Sequence, residues 1–330
     1  MKNQMISVLM CVYNETPVDL KQAINSILNQ TFGEFEFLII LDNPQNIELL
    51  SILRKYKNYD KRIRLYINEK NIGLPNSLNR GLKLSHGNYI ARMDADDISV
   101  ANRLQIQKDY LDKHSDISLV SGNFVYINEK NEIIKRGISF KNIENDAGKI
   151  MKYGNIIAHP CTMFRKKDVI AIGGYRPISS AEDYDLWIRL IMAGKKVYLI
   201  NKCLLRYRVR NNSISNKNLL RQDVSVRVLR KSYRKNQIAN QNRIDSIIEF
   251  YSLDEFQTYI NDYRVFEDAL SKLKKGDFIS FGNVMLKIIG NREICRKIVD
   301  MVVFCFMVKT IKLKNIFLEM LHLNSKRSYG

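Results

Sequence analysis

Tyr89-Ile90-Ala91-Arg92-Met93-Asp94-Ala95-Asp96-Asp97 opens as a buried strand and closes on three carboxylates. Alternation along a strand would set Asp94 and Asp96 on one face, about 6–7 Å apart. Carboxylates held together repel unless one is protonated or a cation sits between them. All-oxygen ligation suits hard cations such as Mg²⁺ or Mn²⁺. An acidic cluster at a strand end also serves as a plain turn or helix cap. The spacing alone leaves both readings open.

Upstream, strands and helices alternate. Met5–Val12 is a mostly apolar, β-branched run that reads as a buried parallel strand, and Tyr13-Asn14-Glu15 ends it. Thr16-Pro17 supplies an N-cap and a first-turn proline, and Leu20, Ile24, Ile27 and Leu28 follow at helical spacing. Phe35–Leu41 is a second strand ending in Asp42-Asn43-Pro44, followed by a helix over Ile47–Tyr56. Ile63–Ile67 is a shorter strand, Asn68–Gly73 a polar loop and Leu74–Leu84 a helix. This alternation predicts a mainly parallel sheet with helices on both faces and right-handed connections. Ligands of such sheets bind outside the carboxyl ends of the strands. Tyr13, Asn14, Glu15, Asp42 and the three aspartates all fall at those ends. Independent strands thus deliver polar side chains to one crevice. The chain has no GxGxxG after its first strand and no GxxxxGK[ST], which disfavours a dinucleotide-binding dehydrogenase and a P-loop NTPase.

Downstream, a helix is predicted over Arg103–Lys113 and a strand over Ile117–Ile127. Residues 128–157 read as irregular, with a short helix near Glu144–Lys152. His159-Pro160 precedes an apolar strand over Cys161–Phe164, and a lone histidine there is more often structural than a ligand. Gly173-Gly174-Tyr175 is a turn. Glu182 and Asp183 then open a helix whose apolar face includes Leu186 and Leu190. The helix dipole favours carboxylates in that turn, which is their plain reading. Val197–Ile200 and Leu204–Val209 read as two final strands, with Arg206, Arg208 and Arg210 alternating on the second.

Composition bounds the class. The chain has 330 residues, 45% hydrophobic and 26% charged, enough for one large domain with an extension. Its five cysteines lie far apart without a CxxC pair, which argues against a zinc module or disulfide framework and fits a reducing compartment. The first fifteen residues show no signal-peptide pattern. The net charge of +19 is uneven: residues 270–330 alone hold 12 basic and 4 acidic side chains. A basic segment serves anionic membrane, nucleic acid or solubility. Residues 216–330 read as helical, over Leu219–Ser232, Arg243–Phe250, Leu253–Lys274, Phe278–Ile289 and Glu293–Leu321. The apolar stretch Ile298–Val308 contains Asp300 and borders Lys309, Lys312 and Lys314. It is shorter than the roughly 20 residues that span a bilayer. Two readings stay open, core packing and an interfacial helix on anionic lipid.

In order, these motifs resemble the family 2 glycosyltransferases of bacterial capsule and lipopolysaccharide O-antigen synthesis, over about residues 5–215. The resemblance rests on Ser7–Glu15, Asp42-Asn43, Asn71-Ile72-Gly73 with Asn79-Arg80-Gly81, Ala91–Asp97, His159–Arg165, Gly173-Gly174-Tyr175 and Ala181–Trp187. Two positions depart: the first strand ends Cys-Val-Tyr-Asn where many members have Pro-Thr-Tyr-Asn, and the second ends Asp-Asn where many have Asp-Asp.

The resemblance implies an α/β GT-A (Rossmann-like) nucleotide-diphospho-sugar transferase domain over residues 1–215 and a helical, basic region over 216–330. It implies that Asp42 binds the nucleoside of a UDP-sugar, with Tyr13, Glu15, Asn71 and Asn79 around it. Asp94 would contact ribose or metal, and Asp96 would ligate Mn²⁺ or Mg²⁺ at the diphosphate. Asp183 would be the catalytic base, Glu182 its neighbour at the acceptor, and Arg208 or Arg210 a diphosphate contact. One base and in-line displacement imply inversion. The implied donor sugar is a hexose or N-acetylhexosamine, and the implied acceptor a growing surface glycan, lipid-linked through undecaprenyl diphosphate. The expected location is cytoplasmic, and peripheral on the inner face of the plasma membrane if the interfacial-helix reading holds. The enzyme alternative, a nucleotidyltransferase, needs a basic, glycine-rich triphosphate loop, and Tyr13–Val18 has no Gly, Lys or Arg. The non-enzymatic alternative, a nucleic-acid-binding protein, needs a reading module that the chain lacks, so no nucleic-acid partner is expected.

Overall fold

A computed structural model of the protein describes residues 5–178, 180–210, 218–274, 277, 283, 285, 286, 288 and 290–327. Two compact units divide the chain. The first comprises Met1–Gly148, Asn155–Pro177 and Glu182–Arg210, and the second Lys149–Gly154, Ile178–Ala181 and Asn211–Gly330.

The first unit is built on strands β1 (Ile6–Val12), β2 (Phe35–Leu41), β3 (Ile63–Ile67), β4 (Tyr89–Asp94), β5 (Ile98–Ser99), β6 (Ile117–Ile127), β7 (Ile133–Arg136), β8 (Met163–Arg165) and β9 (Lys196–Arg208). Its helices include α1 (Pro17–Leu28), α2 (Ile47–Tyr59), α3 (Leu74–Leu84), α4 (Arg103–Lys113), α5 (Ala147–Ile150), which runs across the division, α6 (Lys166–Ala171) and α7 (Glu182–Met192). The sheet order is β3-β2-β1-β4-β8-β6-β9-β5, with β7 paired to β6. Every residue of β1 and β2 is buried, as in strands covered on both faces. Thr16 caps α1 by accepting from the Asp19 N–H at 3.2 Å, and Pro17 opens the helix.

The sheet is mixed where a mainly parallel one was expected. β3, β2, β1 and β4 run parallel, β8 is antiparallel to both β4 and β6, and β6 and β9 are parallel again. The two expected final strands are one. The exposed Asn201-Lys202-Cys203 reads as a break, but register shifts against Gly122–Phe124 of β6 absorb it within β9. β7 forms a hairpin with β6 inside the stretch expected to be irregular. His159–Cys161 is a 3₁₀ turn, so β8 starts two residues late.

The second unit contains helices α8 (Leu219–Arg234), α9 (Gln241–Glu249), α10 (Leu253–Lys274) and α11 (Arg292–Arg327). Polar links join them: Arg227 pairs with Glu293, Arg230 with Asp300, Lys297 with Asp223, and Asn291 donates to Asp262 at 2.7 Å. Most of the helix expected over Phe278–Ile289 lies outside the described residues. Among those described, no helix is long and apolar enough to cross a membrane.

Candidate active site at the carboxyl ends of the strands

β1, β2 and β4 end side by side, because β1 pairs in parallel with both neighbours. After β1, the Tyr13 N–H donates to Glu15 Oε2 at 2.8 Å, which folds the half-buried Glu15 back over the strand end. The Asn43 amide donates to Asn14 Oδ1 at 2.7 Å and joins the loops after β1 and β2. Asp42, 4% exposed, organises the Asn68–Gly73 loop. Its Oδ1 accepts from Asn68 at 2.5 Å and from the Ile72 N–H at 2.9 Å, and its Oδ2 from the Gly73 N–H at 2.9 Å. An ionised carboxylate accepts about four hydrogen bonds, so roughly one position is left for a ligand. The exposed Asn71 accepts from the same Gly73 N–H.

β4 stops at Asp94, and Ala95 and Asp96 form a turn, so the strand alternation expected to align Asp94 with Asp96 does not extend that far. The acidic residues are nonetheless close enough to act on one another. Asp94 pairs with the buried Arg92 at 2.5 Å, and Asp96 lies 3.5 Å from Arg210. Burial, then the Asp94 charge, pushes Asp96 up to about 7 against the pull of Arg210. Asp97 rises for the same reasons, burial first and then Asp96 and Asp94. Its Oδ1 accepts from the Arg208 N–H at 2.7 Å, while its buried Oδ2 has no hydrogen-bond partner among the described residues. Glu15 is raised by burial and by Asp94.

A separate structural module aims the second carboxylate pair. The Asn79 amide donates to the Tyr175 carbonyl and accepts from the Tyr175 N–H, at 2.8 Å each, so this residue ties α3 to the Gly173-Gly174-Tyr175 turn. Gly174 has φ +70, and a Cβ there would come within 2.5 Å of Asn79 Oδ1, which accounts for the glycine. Asp185 on α7 pairs with Arg176 and Arg189, and Arg189 donates in turn to the carbonyls of Ile172 and Gly174. The buried His159 shares a 2.8 Å hydrogen bond with the Tyr175 hydroxyl and sits edge-on to Trp187. Burial, then the Arg92 charge, lowers His159 and keeps its imidazole neutral.

This packing fixes the first turn of α7. Asp183 Oδ1 accepts from the Tyr184 N–H at 2.6 Å and Oδ2 from the Asn155 amide at 3.1 Å. Burial pushes Asp183 up to about 6, the Tyr184 and Asn155 bonds opposing it, with Asp94 adding to the rise. Burial, followed by the Asp183 charge, pushes Glu182 up to about 7. Here burial outweighs the helix dipole that should favour the charged form. A carboxylate poised near neutrality beside an acidic strand-end cluster can take a proton from a bound hydroxyl. The sequence reading gave no role to Asn155, which carries no motif, or to Arg92, although a cation inside a buried strand was a signal.

The two arginines at the end of β9 differ. The Arg208 guanidinium is fully buried and bonded to Asp96 O, Asn128 O, Gln22, Asn131 and Asp19. Its donors are thus engaged within the fold, and of the two expected alternatives Arg210 is the more exposed. Arg210 keeps 18% exposure between Asp19 and Asp96. A cleft lined by Phe35, Glu36, Arg62 and Arg64 lies at the opposite, amino-terminal edge of the same strands and shares no residue with this cluster.

A divalent cation fits the acidic turn. The half-buried Asp94 and Asp96 and the buried Asp97 crowd three carboxylates into one turn against Arg92 and Arg210, and their donors are all oxygen. Among the described residues no three His, Cys, Asp or Glu side chains form a complete cage.

An open α/β sheet with carboxylates gathered at its strand ends defines a ligand-binding class of enzyme fold, and the comparisons narrow it. Residues 7–173 match the model of glycosyl transferase family 2. The O-antigen biosynthesis glycosyltransferase WbnJ of Escherichia coli is 35% identical over 240 residues, 72% of this chain and 92% of its own. An Escherichia coli protein named UDP-Gal:alpha-D-GlcNAc-diphosphoundecaprenol beta-1,3-galactosyltransferase is 30% identical over 247 residues, 73% of this chain and 88% of its own. The structure of S. aureus TarS 1–349 with UDP-GlcNAc superposes with a TM-score of 0.56 at 17% identity, covering 84% of this chain and 90% of TarS 1–349, a likeness of fold. The chain belongs to glycosyl transferase family 2 and is a glycosyltransferase.

Proposed function

We propose that the protein moves a hexose or N-acetylhexosamine from a UDP-sugar to a hydroxyl of a growing, lipid-linked surface polysaccharide, capsule or O-antigen in type, with inversion. The observation that carries this is Asp183, held by Tyr184 and Asn155 at the start of α7 and poised near pH 6 within the electrostatic reach of Asp94. The galactosyltransferase relative's name supports the UDP-sugar and the undecaprenyl-diphosphate-linked acceptor, and the WbnJ name the O-antigen type of product. The TarS complex supports a UDP-sugar site in this fold.

Asp183 takes the proton of the acceptor hydroxyl as that oxygen forms its bond to the anomeric carbon. The bond from that carbon to the diphosphate oxygen breaks on the opposite face, and UDP leaves. A single base acting in line gives inversion. Mg²⁺ or Mn²⁺ held by Asp96 and Asp94 would neutralise the diphosphate charge that develops. Arg210, beside Asp96, faces the same charge. The nucleoside falls to Tyr13, Glu15 and the remaining lone pair of Asp42, with Asn71 on the adjoining loop. Glu182, protonated near neutrality, donates to the acceptor.

Thermal-shift binding of UDP, GDP and CDP, each with Mn²⁺, Mg²⁺ or EDTA, tests this reading. Stabilisation by UDP that needs metal and is lost in Asp96→Ala is expected. A response to GDP or CDP instead would replace the donor, and no response from folded protein would overturn the reading.

A further inference from the structure

The outer face of α11 carries an apolar stripe. Val299, Val302, Phe306, Leu313 and Phe317 are each 58–66% exposed. At about 100° per residue these five fall within roughly 40° of one line, over about 27 Å of helix. The opposite face is buried or paired. Ile294, Val308 and Ile311 are buried, Asp300 pairs with Arg230, and Phe304 packs at Gly154. Exposed lysines flank the stripe on both sides: Lys309 lies about 60° to one side and Lys314 about 80° to the other. Residues 301–318 contain no Asp or Glu.

We infer that this face of α11 lies in the plane of an anionic lipid surface, its valines, leucine and phenylalanines entering the acyl boundary and Lys309 and Lys314 reaching the headgroups. Long lysine stems at the edge of an apolar stripe let the ammonium groups rise to that level. Charge decides between occupants. A second copy laid on the same stripe would set Lys309 and Lys314 among their own kind, with no nearby carboxylate on residues 301–318 to offset them. A surface of anionic headgroups offers the opposite sign. The inference is independent of the transfer chemistry.

The test is flotation of the full chain with vesicles of phosphatidylcholine alone and of phosphatidylcholine with phosphatidylglycerol, at low and high salt. The protein should float with the phosphatidylglycerol vesicles, more weakly at high salt, and much less with phosphatidylcholine alone. Lys309→Glu/Lys314→Glu should lower binding at least about tenfold, since each lysine near such a surface contributes about 1 kcal/mol. Phe306→Ser/Leu313→Ser should lower it while keeping the helical circular dichroism and the melting temperature, which shows that the variant is folded. No flotation by the wild type, or flotation indifferent to lipid charge and to both variants, would overturn the inference. So would a wild-type dimer in sedimentation that the serine variant dissociates, without vesicle binding.

Discussion

Arg208 and Arg210 share one strand end and differ in what surrounds them. Arg208→Ala would leave the Asp96 and Asn128 carbonyls and the Gln22 and Asn131 amide oxygens without their buried donor, and Asp19 with Arg210 alone. Removing one partner of a buried pair costs about 3–5 kcal/mol, so this variant should melt early in a thermal scan. Arg210→Ala should melt near the wild type, while UDP affinity by titration calorimetry falls about ten- to a hundredfold, as for a lost charge-assisted hydrogen bond. Asp183→Asn should lower the transfer rate by about 10²–10⁴ and leave UDP binding intact, because a general base contributes that much. The wild-type rate should climb as pH rises through about 6, where Asp183 ionises, and fall again above about 7, where Glu182 loses the proton it donates. Stability runs the other way. With its folded pKa raised, the Asp183 carboxyl favours the folded state below the ordinary carboxylate range, and that contribution is lost as pH rises through about 6. Asp183→Asn removes this dependence, and melting curves across that window read it directly. The identities of these residues were legible in the sequence through the ordered motifs that resemble the family. Their availability was not. Whether Arg208, Asn79 or Asp42 has a donor or acceptor to spare depends on partners up to 186 residues away, which no local pattern records.

At the scale of elements, glycines set how closely the layers meet. Gly87 turns the chain into β4 so near β1 that a Cβ would come within 2.6 Å of the Ser7 N and 2.8 Å of the Met5 O. Gly81 on α3 meets only the ends of the Leu9 side chain, at 2.3 Å. Backbone cannot swing aside as a leucine methyl can. Gly87→Ala should therefore cost about 1–3 kcal/mol in chemical denaturation, and Gly81→Ala clearly less. The parallel half of the sheet was readable because fully buried strands show as unbroken apolar runs with helical spacing between them. The other half was not. β7 has four exposed residues and no alternation that a core would impose. The polar middle of β9 is held in the strand by irregular pairing with β6, a property of the partner as much as of β9 itself.

At the scale of the molecule, the five cysteines report on packing. Cys11 and Cys161 are buried, and burial pushes their thiols up to about 12 and about 11. Cys203 and Cys305 are exposed, and Cys295 is intermediate. An aromatic disulfide reagent should thus modify Cys203 and Cys305 promptly in the native protein, Cys295 more slowly, and Cys11 and Cys161 only in denaturant, as peptide mapping would show. Their spacing in the sequence argues against a disulfide framework but does not rank them, because reactivity follows access and charge around the sulfur.

The hydrogen bond from the Arg208 N–H to Asp97 spans 111 residues and closes the acidic turn with the end of β9. A ribosome must therefore deliver the chain through residue 208 before that turn has its final support. Until then the nascent chain carries its aspartates without the strand that holds them. Pairings of such long range are slow to form, so this corner assembles late, after β1, β2 and β4 have made a sheet to receive it.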